Sequence, residues 1–331
     1  MKHFFVINPH SFNTVKNIKN IQDEIENCFS SKQKTEYTIY FSRRPRDSIA
    51  VVHRYMLSIS DDEIVRIYAV GGDGILFDCL NGMVNFPNAE LTSIPYGNAN
   101  DVVRAFGQDA IPMFRNIKNL INAPSRPMDI IHYGANYALN EANVGIVGLT
   151  MCYANQILRK KISQWKRRFV HNIYTYSALK SIFNKEVRNQ YYKIKLDGND
   201  FSGNYSNIHI ANCSCSGGNM IPSPYAVPND GQLEVIFVCA NKINDLLTTI
   251  GDYQKGRFEK HVVFRHAQCT ALEIESDKPL RLQLDGEGFF AHELKLRIIP
   301  GGIKFVAPEG MEFMDYSFMA YKKRVKNEKR S

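Results

Sequence analysis

The sequence predicts two domains, a doubly wound α/β domain followed by an antiparallel β-sandwich, and three observations carry that reading. The chain has 331 residues, 44% hydrophobic and 22% charged, more than one core of ordinary size requires. Through its first third, short apolar runs alternate with amphipathic stretches of helical spacing, as parallel strands joined by helical crossovers do. After about residue 128, short β-branched runs follow one another with turn signals between them. The expected limits are 1–128 for the first domain, with 302–331 returning to it, and 129–301 for the second.

The first strand is Phe4 to Ile7, stopped by Asn8-Pro9. Asn17 to Cys28 places Ile18, Ile21 and Ile25 at helical spacing. Tyr37 to Phe41 is the next strand, and Asp47 to Leu57, with Ile49, Val52 and Met56, the next helix. Ile64 to Val70 is a strand that runs through three glycines into a helix ending near Asn81-Gly82. Leu91 to Pro95 is the last strand of this set, and Arg104 lies one turn into the helix after it. In the second domain the strands are Met128 to His132, Tyr137 to Ala142, Tyr192 to Leu196, Asn207 to Ala211, Leu233 to Val238, Val262 to Arg265, Ala271 to Ile274 and Leu280 to Leu284. One helical stretch, Asn155 to Phe183, interrupts them, and Ile303 to Val306 is the run expected to rejoin the first domain.

Composition removes several classes. No apolar run approaches the roughly 18 residues of a membrane span, and the apolar start is too short for a signal peptide. Seven cysteines without a C-x-x-C, with Cys213 and Cys215 the one close pair, suggest reduced thiols in a cytoplasm and no zinc site. The net charge of +8 is local: Arg159 to Arg168 holds six basic residues and no acid, Lys322 to Arg330 six more with Glu328, and the remainder is slightly acidic. Patches of this kind suit an anionic surface, phospholipid headgroups or nucleic acid, although two solvated helix faces would look the same.

Ligands of such sheets bind at the carboxyl ends of the strands. There, Gly71-Gly72-Asp73-Gly74-Ile75-Leu76-Phe77-Asp78 lets backbone N–H groups close on a phosphate, and Asp73 can reach a nucleotide-bound metal or an acceptor hydroxyl. Alone, it would be no more than a Gly-rich turn. Pro95-Tyr96-Gly97-Asn98-Ala99-Asn100-Asp101 is a second strand-to-helix loop at the same edge, where Asn100 or Asp101 also suits a helix cap. Leu284-Asp285-Gly286-Glu287-Gly288 sets two carboxylates around a glycine, as a hairpin turn, a general base or a metal-organising acid.

These blocks, in this order, resemble the diacylglycerol kinase catalytic family of bacterial soluble lipid kinases. That family also includes sphingosine and ceramide kinases and is distantly related to NAD kinases. Asn8-Pro9 with Ser11 is similar to the N-P-x-S-G opening loop, Gly71 to Gly82 to G-G-D-G-T-x-x-E-x-x-N-G, and Pro95 to Arg104 to P-x-G-T-x-N-D-F-A-R. Asn212, Gly217-Gly218, Pro224 and Asp230-Gly231-Gln232-Leu233 follow N…G-G…P…D-G-x-L, and Leu284 to Glu287 matches D-G-E. The resemblance spans nearly the whole chain and agrees with the two-domain reading. It implies ATP held by Asn8, Pro9, Ser11, Ser42, Gly71, Gly72, Asp73, Gly74, Ile75, Leu76, Phe77, Gly97, Asn98, Asn100 and Asp101. It makes Glu287 the base that takes a lipid hydroxyl's proton, with Asp73 and Asp129 in the same acidic network. It also implies a structural magnesium (Mg2+) on the Asp230 side chain and the carbonyls of Val227 and Gln232. Four departures bear on nucleotide and lipid preference: Phe12 in place of glycine, Ile75 and Asn98 in place of threonines, and Val147 in place of aspartate.

The reaction implied is ATP- and magnesium-dependent phosphorylation of a membrane lipid hydroxyl, with diacylglycerol first and sphingoid bases, ceramide or monoacylglycerol as alternatives. Such chemistry asks for in-line positioning, neutralised phosphate charge and a carboxylate within reach of the alcohol. The rival class is a non-catalytic protein that uses its basic patches on nucleic acid. Against it stand the acidic remainder and the lack of an RNA-stacking motif. A lipid kinase in the cytoplasm, peripheral at the inner membrane surface, must dock on lipid. Arg159, Lys160, Lys161, Trp165, Arg167 and Arg168 are the residues expected to touch an anionic bilayer. A solvated helix with Trp165 packed inward is the plain alternative, and a homodimer stays open.

Overall fold

The computed structural model describes residues 1–313 except 13, 30–35, 108, 160–169 and 241. The basic segment Lys160, Lys161, Trp165, Arg167 and Arg168, the side chain of Arg159 and the tail from 314 lie outside the described residues.

The first part alternates as expected: β1 (Lys2–Ile7), α1 (Val15–Asn27), β2 (Tyr37–Phe41), α2 (Asp47–Leu57), β3 (Val65–Gly71), α3 (Asp73–Met83) and β4 (Ala89–Pro95). The four strands are parallel in the order β4-β3-β1-β2. All seven residues of β3 and of β4 are buried, as strands covered on both faces must be. α1 turns Ile21 and Ile25 inward and starts at Thr14, whose hydroxyl accepts the Asn17 N–H at 3.2 Å. Three short helices follow: α4 (Asp101–Arg104), α5 (Ile111–Phe114) and α6 (Ile117–Asn122).

The second part contains β5 (Ser125–Tyr133), β6 (Asn136–Ala138), β7 (Glu141–Gly145), α7 (Ile146–Arg159), α8 (Val170–Ile182), α9 (Lys185–Arg188) and β8 (Gln190–Leu196). It goes on through β9 (Asn199–Asp200), β10 (Gly203–Tyr205), β11 (Asn207–Ala211), β12 (Leu233–Val238), α10 (Ile243–Tyr253), β13 (Phe264–Cys269), β14 (Ala271–Leu284) and β15 (Glu287–Val306). β14 pairs with β8 along its first half and with β7 along its second, with a register shift between Glu275 and Leu280. That change of partner folds the strands into two layers around one core, which includes Tyr192, Ile194, Ile208, Ile210, Phe237, Leu272 and Leu282.

The two domains share hydrogen bonds. β15 runs antiparallel to β14 and β5, and its end, Lys304 and Phe305, pairs parallel with Glu90 and Leu91 of β4. The run Ile303 to Val306 thus adjoins the first sheet, as read from the sequence, but as the end of a strand that begins at Glu287. Pro300-Gly301-Gly302 lies inside that strand at a register shift instead of ending it. The helical stretch also differs: α7 begins directly after β7, nine residues earlier than the periodicity predicts.

Candidate active site

Four loops meet at the carboxyl edge of the parallel strands. The Asn8 N–H bonds the Val70 carbonyl at 2.9 Å, and the Ser42 N–H bonds the Ile7 carbonyl at 2.8 Å. The Tyr96 and Gly97 N–H groups both donate to the Gly71 carbonyl, at 2.7 and 3.0 Å. The glycine loops touch back to back, so that a Cβ on Gly97 would lie 2.3 Å from the Gly72 Cα. α3 opens from Gly72 with no side-chain cap, and nothing lies within 4 Å of where a Cβ on Gly74 would stand. An uncapped N-terminus of an eleven-residue helix facing open space is a place for an anion.

Buried carboxylates fasten these loops by accepting main-chain N–H groups. Asp73 accepts from Asn100 (2.8 Å) and Asp101 (2.9 Å). Asp101 accepts from Gly218 (2.7 Å) and Gly217 (3.0 Å), which ties the first domain to the second. Asp285, at φ 41° in its turn, accepts from Leu139 (2.7 Å), Asn140 and Glu141 (both 3.0 Å). Burial raises the pKa of Asp73, and burial with the neighbouring Asp73 charge pushes Asp101 up to about 7. Burial likewise brings Asp285 up to about 6, against the pull of its three amides.

Glu287 sits differently. Its side chain is 46% exposed, and its Oε1 is 3.0 Å from Arg46 Nη2. Arg46 Nη1 is in turn 2.7 Å from Asp78 Oδ1, and its guanidinium lies 4.2 Å over the Phe77 ring. Both Asp78 and Phe77 belong to α3. The carboxylate at the start of β15 is thereby held beside the helix whose N-terminus borders the open space.

The structure brings Asn8, Pro9, Ser11, Ser42, Gly71 to Gly74, Gly97, Asn98, Asn100 and Asp101 to one edge or its loops. The rest of the expected nucleotide stretch lies further along α3. Ile75 and Leu76 are buried helix residues in the first core and Phe77 belongs to the second, so their side chains do not front the open space. Asp129 is 2% exposed, and its two oxygens accept the Gly301 and Gly231 N–H groups, each at 2.7 Å, so it braces a turn. Of the departures, Phe12 packs on Tyr96 of the neighbouring loop, ring centroids 4.8 Å apart. Val147 donates its N–H to Asn207 Oδ1.

Sequence reasoning missed Arg46, Asp78, the clamp made by Asp285, and Glu141. Glu141 is buried in β7, where its Oε1 accepts from Ser216 Oγ (3.0 Å) and Gln283 Nε2 (3.1 Å). Burial, with the nearby Asp101 charge, pushes it up to about 8. Its Oε2 is 3.5 Å from His209 Nδ1, and burial brings His209 down to about 3. A glutamate inside an apolar strand pattern was the available signal.

Two groups implied by the family can be tested against these residues. The triphosphate of ATP fits: the uncapped α3 terminus, the open space at Gly74 and the two abutting glycines form an anion cradle. The donors of the magnesium site at Asp230 are the hard oxygens that ion takes; the Val227 carbonyl also accepts the Asn229 and Asp230 N–H groups, and Asp230 Oδ1 that of Gln232.

Comparison with known proteins agrees with this arrangement. Residues 2–133 match the diacylglycerol kinase catalytic domain, and residues 154–307 match the YegS C-terminal NAD kinase beta sandwich-like domain. A protein of Shewanella frigidimarina named "Probable lipid kinase YegS-like" is 26% identical over 260 residues, 77% of this chain and 80% of that protein. A protein of the same name from Alcanivorax borkumensis is 25% identical over 265 residues, 78% of this chain and 83% of its own. A solved structure of a diacylglycerol kinase from Bacillus anthracis str. Sterne aligns with a TM-score of 0.67 at 18% identity, covering 94% of this chain and 98% of that one. That last likeness is one of fold. Matched in succession by these two family models along most of its length, the chain carries a diacylglycerol kinase catalytic domain followed by a YegS C-terminal NAD kinase beta sandwich-like domain.

Proposed function

We propose that the protein transfers the terminal phosphoryl group of ATP, with magnesium, to the free hydroxyl of diacylglycerol, giving phosphatidic acid. One observation carries this reading: Arg46 joins Glu287, the exposed carboxylate of the cleft, to the helix that opens on the anion cradle. The base and the phosphate site are thus neighbours. When bound, ATP with its magnesium supplies the phosphoryl group and neutralises part of its charge. The amides at Gly72 to Gly74 hold the phosphates, and Asp73 and Asp101 fix the two glycine loops and the second domain around them. Glu287 accepts the proton of the alcohol as its oxygen bonds to phosphorus, and the bond to the leaving ADP breaks. The basic segment around Trp165 delivers the enzyme to an anionic bilayer in this proposal, as a peripheral protein. Among the described residues no helix is long and apolar enough to cross a membrane.

Labelled ATP incubated with mixed membrane lipids, the products resolved by mass, tests the reading. Labelled phosphatidic acid is expected. Label in a sphingoid phosphate would move the assignment within the family, and label in no lipid would refute it.

A further inference from the structure

Among the described residues, four other than glycine have a positive φ, and three of them are Asn or Asp. The fourth is Arg46, at φ 68° and ψ 2° where α2 begins. Asn and Asp tolerate this left-handed backbone, whereas a long side chain is strained in it. The strain is offset by what the side chain reaches. Its two terminal nitrogens pair with Asp78 and Glu287, and its plane covers Phe77. One guanidinium thereby connects α2, α3 and β15.

Position on α3 gives the contact its meaning. Gly74 and Asp78 are four residues apart, on one face of the helix and about 6 Å apart along its axis. Helical side chains lean toward the N-terminus, so Asp78 leans toward the open space at Gly74 and carries Arg46 with it. Asp78 is buried and lies 2.7 Å from Arg46 Nη1, so it keeps the arginine in place. Glu287 is half-exposed, the weaker anchor of the two.

We propose that Arg46 is a latch between the base and the nucleotide. In the structure Nη2 holds Glu287. A terminal phosphate in the cradle is a more highly charged partner for the same nitrogen. Nη2 passes to it while Nη1 stays on Asp78, and Glu287 is released to meet the acceptor hydroxyl. Arg46 is then a positioning residue for Glu287 and a contact for the phosphate being transferred. The proposal rests on the kinase reading above.

Binding of ATP and of ADP, measured by calorimetry without lipid, tests it in four proteins: wild type, Glu287→Gln, Arg46→Gly and the double variant. Glu287→Gln removes the competitor, so ATP should bind about twofold to fivefold tighter, with ADP little changed. Arg46→Gly removes a charge-assisted bond and should weaken ATP by about tenfold or more, again sparing ADP. In the Arg46→Gly background, Glu287→Gln should no longer change ATP affinity. Glycine suits the left-handed backbone at 46, so melting should not fall by more than the two ion pairs contribute. Arg46→Lys, with charge but no fork, should lie between wild type and glycine. Equal losses of ATP and ADP in Arg46→Gly, or unchanged ATP affinity in Glu287→Gln, would overturn the latch and leave the kinase reading standing. Wild type that binds neither nucleotide would overturn both.

Discussion

Gly97→Ala is the substitution that most directly probes the meeting of the two loops. Its methyl group would stand 2.3 Å from the Gly72 Cα, whereas ordinary contact begins near 3.4 Å, so the loops must part by about 1 Å. Backbone opposes backbone there, and no side chain can swing aside. Overpacking of this kind costs about 1–3 kcal/mol of stability. A displacement of about 1 Å in a positioning element costs about 10²-fold in rate. Gly74→Ala is the control, because nothing lies within 4 Å of its new methyl group. It should leave melting unchanged or slightly raised, since alanine is the better helix residue, yet weaken ATP by filling the open space. Calorimetric ATP binding, thermal melting and turnover on diacylglycerol would be measured for both. The reasoning is refuted if Gly97→Ala melts and binds ATP like wild type, or if Gly74→Ala destabilises the fold as much as Gly97→Ala does.

Glu287→Gln should melt like wild type but lose about 10²–10⁴-fold in turnover, and near-normal turnover would remove it as the base. Glu141 keeps its proton in the folded chain up to about pH 8 but loses it near 4.5 when unfolded, so stability should fall as pH rises through that window. Melting of Glu141→Gln between pH 5 and 8 should fall less than that of wild type, and parallel curves would show that the glutamate is not the cause. Changing Lys160, Lys161, Arg167 and Arg168 together to Ser should weaken salt-sensitive binding to anionic vesicles while sparing activity on short-chain lipid. Unchanged vesicle binding would discard that segment as the docking face.

The strands of the first domain were legible because each is a local apolar run, and the glycine loops because glycine marks turns wherever it falls. β15 was not: Pro300-Gly301-Gly302 reads as punctuation, and only pairing with β5 across a register shift carries a strand through it. α10 was missed although Ile243, Leu246, Leu247 and Ile250 recur at helical spacing, with Thr249 its one buried residue. Asp73 and Glu287 stood out by their motifs. Arg46 did not, because its meaning lies in a backbone angle and in partners from two other elements. The bracing contacts of Asp129 were not legible either, since a motif position says nothing about which amides a carboxylate's oxygens accept.

The long strand β15 has a mechanical consequence. It is bonded to β14 and β5 in one domain and to β4 in the other, and β5 accompanies it from Tyr133 to Ser125. Two halves joined by such a ladder behave as one plate. A clamshell rotation about their junction would have to shear a row of main-chain hydrogen bonds, and the stiffness of that row resists it. Relative movement of the two sheets is therefore resisted where Lys304 and Phe305 meet Glu90 and Leu91.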